Sequence, residues 1–268
     1  MIVTTSRGYG NLRPMAEYVL AAFLHFARGF QRASHDRQQH QFDHRAYRPV
    51  LLRGKTVCVV GTGGIGQAVG QLCANAGMRV IGIRRHLVPG DPLPAGFISI
   101  KSAERLHSLL AESDFVAMCC QRTPETANLI GREAFAAMRP NAIVANVARG
   151  EIIDEEALIA ALGDGKLDGV ALDVYVGEFE REPDHRLWDD ERVIITPHLS
   201  AADDLGQHRG VDLFCANLRA YLDGRPLANT IDWALVLLCH KIRRSHGDHT
   251  RGRSAAPRPA STPGRCEG

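Results

Sequence analysis

Three glycines and two arginines give the first chemical signal in this chain. Gly61, Gly63 and Gly66 form a G-x-G-x-x-G between the apolar stretch Val57 to Val60 and the helical stretch Gln67 to Ala76. The glycine pattern alone is weak, but a strand before it and a helix after it give it a mechanism. Gly61 permits the tight turn, Gly63 lets a pyrophosphate approach the backbone, and Gly66 lets the helix pack close to the strand. The freed amides at Gly64 and Ile65 and the helix dipole then face an anion. The pattern points to a dinucleotide; a plain βα turn in any parallel sheet is the alternative. The next strand ends Ile83-Arg84-Arg85-His86. A carboxylate there would accept from a ribose 2′-hydroxyl and mark NAD. Guanidinium forks suit a 2′-phosphate instead. Arg84 and Arg85 therefore point to NADP(H), with NAD(H) possible if both are only solvated surface arginines.

These residues need a scaffold, and from Lys55 onward the sequence alternates strand and helix. Strands are expected at 56–60, 79–83, 115–120, 142–147, 169–174 and 192–196. Helices are expected at 65–76, 102–111, 132–138, 154–162 and 201–222, with a Pro/Gly loop at 91–96. The strands are unbroken apolar runs, as in sheets buried on both faces. Repeated β-α-β units imply an α/β fold, a doubly wound parallel sheet with helices on both sides. His198 follows Pro197 where the last strand ends, and histidine suits proton transfer near neutral pH. Ahead of the sheet, Pro14 opens a helix to Phe30 whose apolar residues Met15, Tyr18, Val19, Ala22, Phe23 and Phe26 fall on one face, as a core helix requires. Gln31 to Pro49 is polar and reads as a loop. Its histidines, with His25, lack a metal-ligand spacing, and no metal is expected.

Composition excludes several classes. Of 268 residues 45% are hydrophobic, enough for a sizeable core. The net charge of +2 is unevenly placed: from Lys241 onward seven basic and two acidic residues give +5, which leaves −3 for the rest. The folded part carries no basic stripe, so no nucleic acid is expected as a partner. The seven cysteines (58, 73, 119, 120, 215, 239 and 266) form no C-x-x-C, which argues against a disulfide framework or zinc site and for a reducing, cytoplasmic setting. No apolar run approaches membrane-spanning length, and no signal peptide is evident.

Six segments in order resemble the D-isomer-specific 2-hydroxyacid dehydrogenase family. They are Ala16-Glu17, the turn Gly61 to Gly66, Thr123-Pro124-Glu125-Thr126, Asn146-Val147-Ala148-Arg149-Gly150 with Glu151 to Leu158, Ala171-Leu172-Asp173-Val174-Tyr175, and Thr196-Pro197-His198. The resemblance covers about residues 13–233, and Arg84-Arg85 with Leu187-Trp188 look most like its NADP-using glyoxylate and hydroxypyruvate reductases. It implies hydride transfer between NADP(H) and a small 2-oxo or 2-hydroxy acid. His198 would be the general acid in reduction, and Arg149 would clamp the acid and polarise its carbonyl. Asp173 would bond the nicotinamide carboxamide, while Thr123 and Ala148 line the cofactor. The family's glutamate partner of the histidine is usually followed by proline, which makes Glu182-Pro183 tempting. It lies five positions after the aspartate, however, which selects Glu178, with Phe179 in place of proline; Glu180 and Glu182 remain alternatives. The resemblance also implies a homodimer.

The resemblance further implies a smaller flavodoxin-like substrate lobe, of which 1–48 would be a remnant with an interdomain helix. Residues 49–200 would be the dinucleotide-binding domain, 201–233 an interdomain helix and return segment, and 234–268 a disordered basic tail. Without the first lobe, the helices at 14–30 and 201–222 would each expose an apolar face. The change of composition after Trp233 reads as a shifted reading frame. A dinucleotide-binding module without catalysis, serving sensing or scaffolding, is the rival reading.

Overall fold

Residues 2–5, 12–85, 87, 90–204 and 206–231 are described by a computed structural model of the chain. Two helices lead: α1 (Leu12–Ala27) and α2 (Phe30–Gln38). There follow β1 (Thr56–Val60), α3 (Gly64–Asn75), β2 (Arg79–Ile83), β3 (Phe97–Lys101), α4 (Leu106–Leu110), β4 (Phe115–Met118) and α5 (Arg132–Ala137). The chain continues through β5 (Ala142–Asn146), α6 (Glu155–Gly163), β6 (Leu167–Leu172), α7 (His185–Trp188), β7 (Val193–Ile195) and α8 (Gly206–Leu222). The sheet order is β3-β2-β1-β4-β5-β6-β7, with every pair parallel. This is the doubly wound sheet expected from the strand–helix alternation.

Period-two alternation splits the core into two layers. Cys58, Val60, Val116, Met118, Val144, Val170 and Leu172 face α4, α5 and α6. Val57, Val59, Phe115, Ala117, Ile143, Ala145 and Ala171 face α1 and α3. Phe23 of α1 is fully buried, its ring 4.9 Å from that of Phe115. Burying one such ring contributes about 1.5–3 kcal/mol. The apolar face of α1 is thus covered, against the expectation that both long helices would expose one. On α8 the expected exposure is present: Val211, Phe214, Leu218, Tyr221 and Leu222 all lie open.

Four further points differ from what the sequence leads one to expect. The segment expected to be a loop from Gln31 contains α2. This helix buries almost nothing, so it has no apolar period to read. It is held by Arg32 bonding Asp36 one turn on, at 3.3 Å, and by the Tyr47 hydroxyl donating to Asp36 at 3.0 Å. The strand β3 had no counterpart in the sequence reading: it is a half-buried edge strand whose residues alternate only weakly. The helix expected at 102–111 begins as a 3-10 turn before α4. α8 starts at Gly206 rather than at 201.

The chain divides into a larger unit, residues 8–216, and a smaller one, residues 1–7 with 217–268. In the smaller unit Thr4 bridges Thr230 in antiparallel fashion. The Asn217 side chain accepts from Ala228 N at 2.8 Å and donates to Ala228 O at 3.1 Å. The expected tail, 234–268, lies outside the described residues. Among the described residues no helix is long and apolar enough to cross a membrane, and no group of His, Cys, Asp and Glu could hold a metal ion.

Candidate active site

Because every strand is parallel, every strand–helix junction falls on the same, carboxyl edge of the sheet. The strand order reverses between β1 and β4, which opens a crevice there. Gly61 leaves β1 with φ +99°, a region that favours glycine, and a Cβ on it would lie 2.6 Å from the Cys120 backbone. A Cβ on Gly66 would collide with the Gly61 carbonyl oxygen, so α3 could not start so close to β1 with any other residue. Above Gly63 there is open space. Gly63 offers no side chain to cap α3, so the first amides of that helix have no internal partner. The turn thus fits an approaching pyrophosphate.

Arg84 and Arg85 follow β2 directly. Arg84 lies 3.8 Å from Asp91, and Arg85 lies 3.4 Å from Glu125 after β4. Since β1 separates β2 from β4, the Arg85–Glu125 contact spans the mouth of the glycine turn. Thr123 sits in a compact turn in which its amide donates to Thr126 Oγ1 at 2.7 Å.

The other half of the edge is built from polar side chains. Asn146, fully buried at the end of β5, accepts from Ala148 N at 3.0 Å and donates to Arg149 O at 2.9 Å. That clamp fixes the 147–149 turn while the Arg149 side chain stays exposed. Asp173, 1% exposed after β6, is an acceptor for the turn that follows β7. Its Oδ1 accepts from Thr196 Oγ1 at 2.7 Å and Leu199 N at 2.8 Å, and its Oδ2 from Ser200 N at 2.9 Å. Between those anchors His198 takes φ +52°, a left-handed conformation costing a non-glycine residue about 1–2 kcal/mol. Its amide donates to Asp173 O at 3.0 Å and Thr196 O at 2.9 Å.

Glu178 meets His198 from the loop after β6, with Oε1 at 3.1 Å from Nδ1. An ionised carboxylate only accepts, so Nδ1 carries the hydrogen and Nε2 is left for a substrate. The glutamate side chain is 11% exposed and the histidine 38%, so the carboxylate is shielded while the ring stays accessible. The loop is closed by Tyr175, whose hydroxyl donates to Arg181 O at 2.7 Å, and by the Arg181–Glu155 ion pair at 2.5 Å. Among the described residues no hydrogen bond joins Glu180 or Glu182 to His198. Phe179 stacks obliquely near the histidine, ring centres 6.1 Å apart. The thiols of Cys58 and Cys73 are pushed up to about 12 by burial, so neither supplies a thiolate nucleophile.

The structure thus collects the sequence-derived residues at one edge. Gly61, Gly63, Gly64, Ile65, Gly66, Arg84, Arg85 and Thr123 lie on the β2-β1-β4 side, and Ala148, Arg149, Asp173, Glu178 and His198 on the β5-β6-β7 side. The sequence reading missed the supports: Asn146 as a clamp, Tyr175 and Arg181 under Glu178, and the Thr196 hydroxyl on Asp173. Asn146, Tyr175 and Thr196 stood inside quoted motifs, but nothing in the sequence distinguished clamp from filler.

Residues 20–200 match the family described as D-isomer specific 2-hydroxyacid dehydrogenase, NAD binding domain. A D-3-phosphoglycerate dehydrogenase of Methanocaldococcus jannaschii is 33% identical over 220 residues, 81% of this chain and 41% of that protein. A glyoxylate reductase of Thermococcus gammatolerans is 38% identical over 175 residues, 64% of this chain and 49% of that protein. The chain spans less than half the length of these relatives. Among solved structures, a D-isomer specific 2-hydroxyacid dehydrogenase from Xanthobacter autotrophicus Py2 in complex with NADPH and MES superposes with a TM-score of 0.74 at 29% identity. That match covers 87% of this chain and 92% of the other. With its parallel sheet, its glycine turn and this match to most of the larger unit, the chain belongs to the D-isomer specific 2-hydroxyacid dehydrogenase family.

Proposed function

We propose that this chain transfers a hydride between NADP(H) and a small 2-hydroxy or 2-oxo acid of the glyoxylate or hydroxypyruvate type. The contact of Glu178 with His198, on the edge that carries the glycine turn, is the observation that carries this reading. The reduced nicotinamide would supply the hydride. The amides of Gly64, Ile65 and Gly66 would hold the pyrophosphate, with Arg84 and Arg85 at the 2′-phosphate. Thr123 and Ala148 would line the cofactor, and Asp173, through a bond additional to those it makes in the turn, the carboxamide. Arg149 would pair with the substrate carboxylate and polarise the carbonyl. His198, oriented by Glu178 through Nδ1, would give the proton from Nε2 in reduction and take it back in oxidation. The NADPH named for the Xanthobacter structure supports the cofactor choice, and the glyoxylate reductase relative supports the substrate class. Free cysteines at 58, 73, 119, 120 and 215 suit a reducing cytoplasm, and the open apolar stripe of α8 suits a homodimer.

The test is oxidation of NADPH by glyoxylate or hydroxypyruvate, run beside calorimetry with NADPH. Turnover abolished by His198→Ala supports the reading. Binding without turnover favours a non-catalytic dinucleotide module, and a His198→Ala variant as active as the parent removes the assignment.

A further inference from the structure

The Tyr18 hydroxyl of α1 lies 2.7 Å from Thr196 Oγ1, which lies 2.7 Å from Asp173 Oδ1. Proton counting fixes the direction of this chain. Asp173 as a carboxylate can only accept, so Thr196 spends its one hydroxyl hydrogen on Asp173. Tyr18 must then donate to Thr196. Burial pushes Tyr18 up to about 12, so the phenol keeps its donor hydrogen throughout the neutral range. The carboxylate at the end of the chain also receives the amides of Leu199 and Ser200, the two residues after His198. His198 itself sits at φ +52°, a conformation its own chemistry disfavours and the surrounding bonds must impose.

We propose that Tyr18 is a positioning residue for His198: its hydroxyl, through Thr196 and Asp173, holds the turn that presents the imidazole to Glu178. Tyr18 stands on a helix outside the sheet, at a position whose apolar neighbours Met15, Val19 and Ala22 are core residues. A phenylalanine would serve the packing equally well, so the hydroxyl is the informative atom. This inference rests on the reading of His198 as the proton donor, and its test separates the two.

The experiment compares the parent chain with Tyr18→Phe, Thr196→Val and Thr196→Ser. Amide hydrogen exchange at Leu199 and Ser200 needs no turnover. It is expected to accelerate about tenfold in Tyr18→Phe and Thr196→Val, with the strands unaffected, and to fall back towards the parent value in Thr196→Ser, which keeps the hydroxyl. In steady-state assays with NADPH and glyoxylate, kcat is expected to drop about tenfold in the first two variants while KM for NADPH, set mainly by the glycine-turn amides, changes by much less than kcat. Exchange at the turn equal to the parent's overturns the proposal. So does acceleration spread evenly through α1 and the sheet, because the hydroxyl would then serve general stability. A parent chain without turnover refutes the catalytic reading, and the exchange data still decide the role of Tyr18.

Discussion

The two halves of the sheet's carboxyl edge are built from opposite materials. On the β2-β1-β4 side the groups proposed to bind the cofactor are backbone amides and exposed arginines, and the glycines contribute by having no side chain. On the β5-β6-β7 side nearly every polar atom is committed. Asn146 makes two bonds to one turn, Asp173 accepts three, and Glu178 is shielded behind His198. A large anionic cofactor is bound by many aligned dipoles, none of which must be placed to a fraction of an ångström. A proton donor works only near one geometry, so its ring must be over-determined by its neighbours. The contrast predicts that the cofactor half fails through loss of space and charge, and the other half through loss of orientation.

The largest expected effect is on the oriented half. His198→Ala should lower kcat for NADPH-dependent reduction of glyoxylate by about 10²–10⁴-fold, the range for one general acid. NADPH affinity measured by calorimetry should be unchanged, since no part of the glycine turn depends on that ring. A variant that loses NADPH binding along with turnover would show the two halves to be one mechanical unit.

Gly61→Ala attacks the other half through space. The new methyl would press on the Cys120 backbone at 2.6 Å with φ at +99°. A cost of about 1–3 kcal/mol in denaturant unfolding is expected from such overpacking, with weaker NADPH binding in whatever fraction folds. Parent-like stability and affinity would mean that the turn relaxes freely and that its glycine is not required.

Legibility from sequence follows the same division. The glycine turn could be read because its spacing states its own mechanism, and the strands because apolar runs bounded by turns have few other meanings. Glu178 could be chosen over Glu182 only by counting along the resemblance, since an acidic loop offers three candidates. The Tyr18–Thr196–Asp173 chain was invisible, because its members lie 178 and 23 positions apart and each alone passes for a core or turn residue. The segment α2 escaped for a different reason: a helix held by one Arg32–Asp36 turn and a Tyr47 tie has no apolar stripe. The burial of α1 was legible from its own periodicity, and only the analogy with a two-lobed protein argued against it.

A smaller change tests charge on the cofactor half. Replacing Arg84 and Arg85 together by Ala should weaken NADPH relative to NADH by about 10–100-fold. A charge-assisted hydrogen bond contributes about 1.5–3 kcal/mol, and both arginines are solvated enough to give less than two full bonds. Stability should change little, because their pairs with Asp91 and Glu125 are exposed surface pairs. An unchanged NADPH-to-NADH ratio would leave the two arginines as surface residues and return the cofactor to NAD(H).

The smallest expected effect concerns the proton that ties α1 to the oriented half. Tyr18 is raised from 10.0 to about 12, chiefly by burial. The folded chain therefore holds this proton more tightly than the unfolded chain does. The corresponding stability is complete below pH 10 and is lost as pH rises to about 12. Buried thiols also titrate in this range, Cys58 and Cys73 to about 12 and Cys120 to about 11, so the parent curve alone is not diagnostic. The difference between parent and Tyr18→Phe is, because the thiols contribute equally to both. Denaturant unfolding followed from pH 9 to 12 should show the parent falling more steeply than Tyr18→Phe, by an amount reduced by the partial exposure of the phenol. Parallel curves would mean that burial in the folded chain does not hold the Tyr18 proton more tightly than water holds it in the unfolded one.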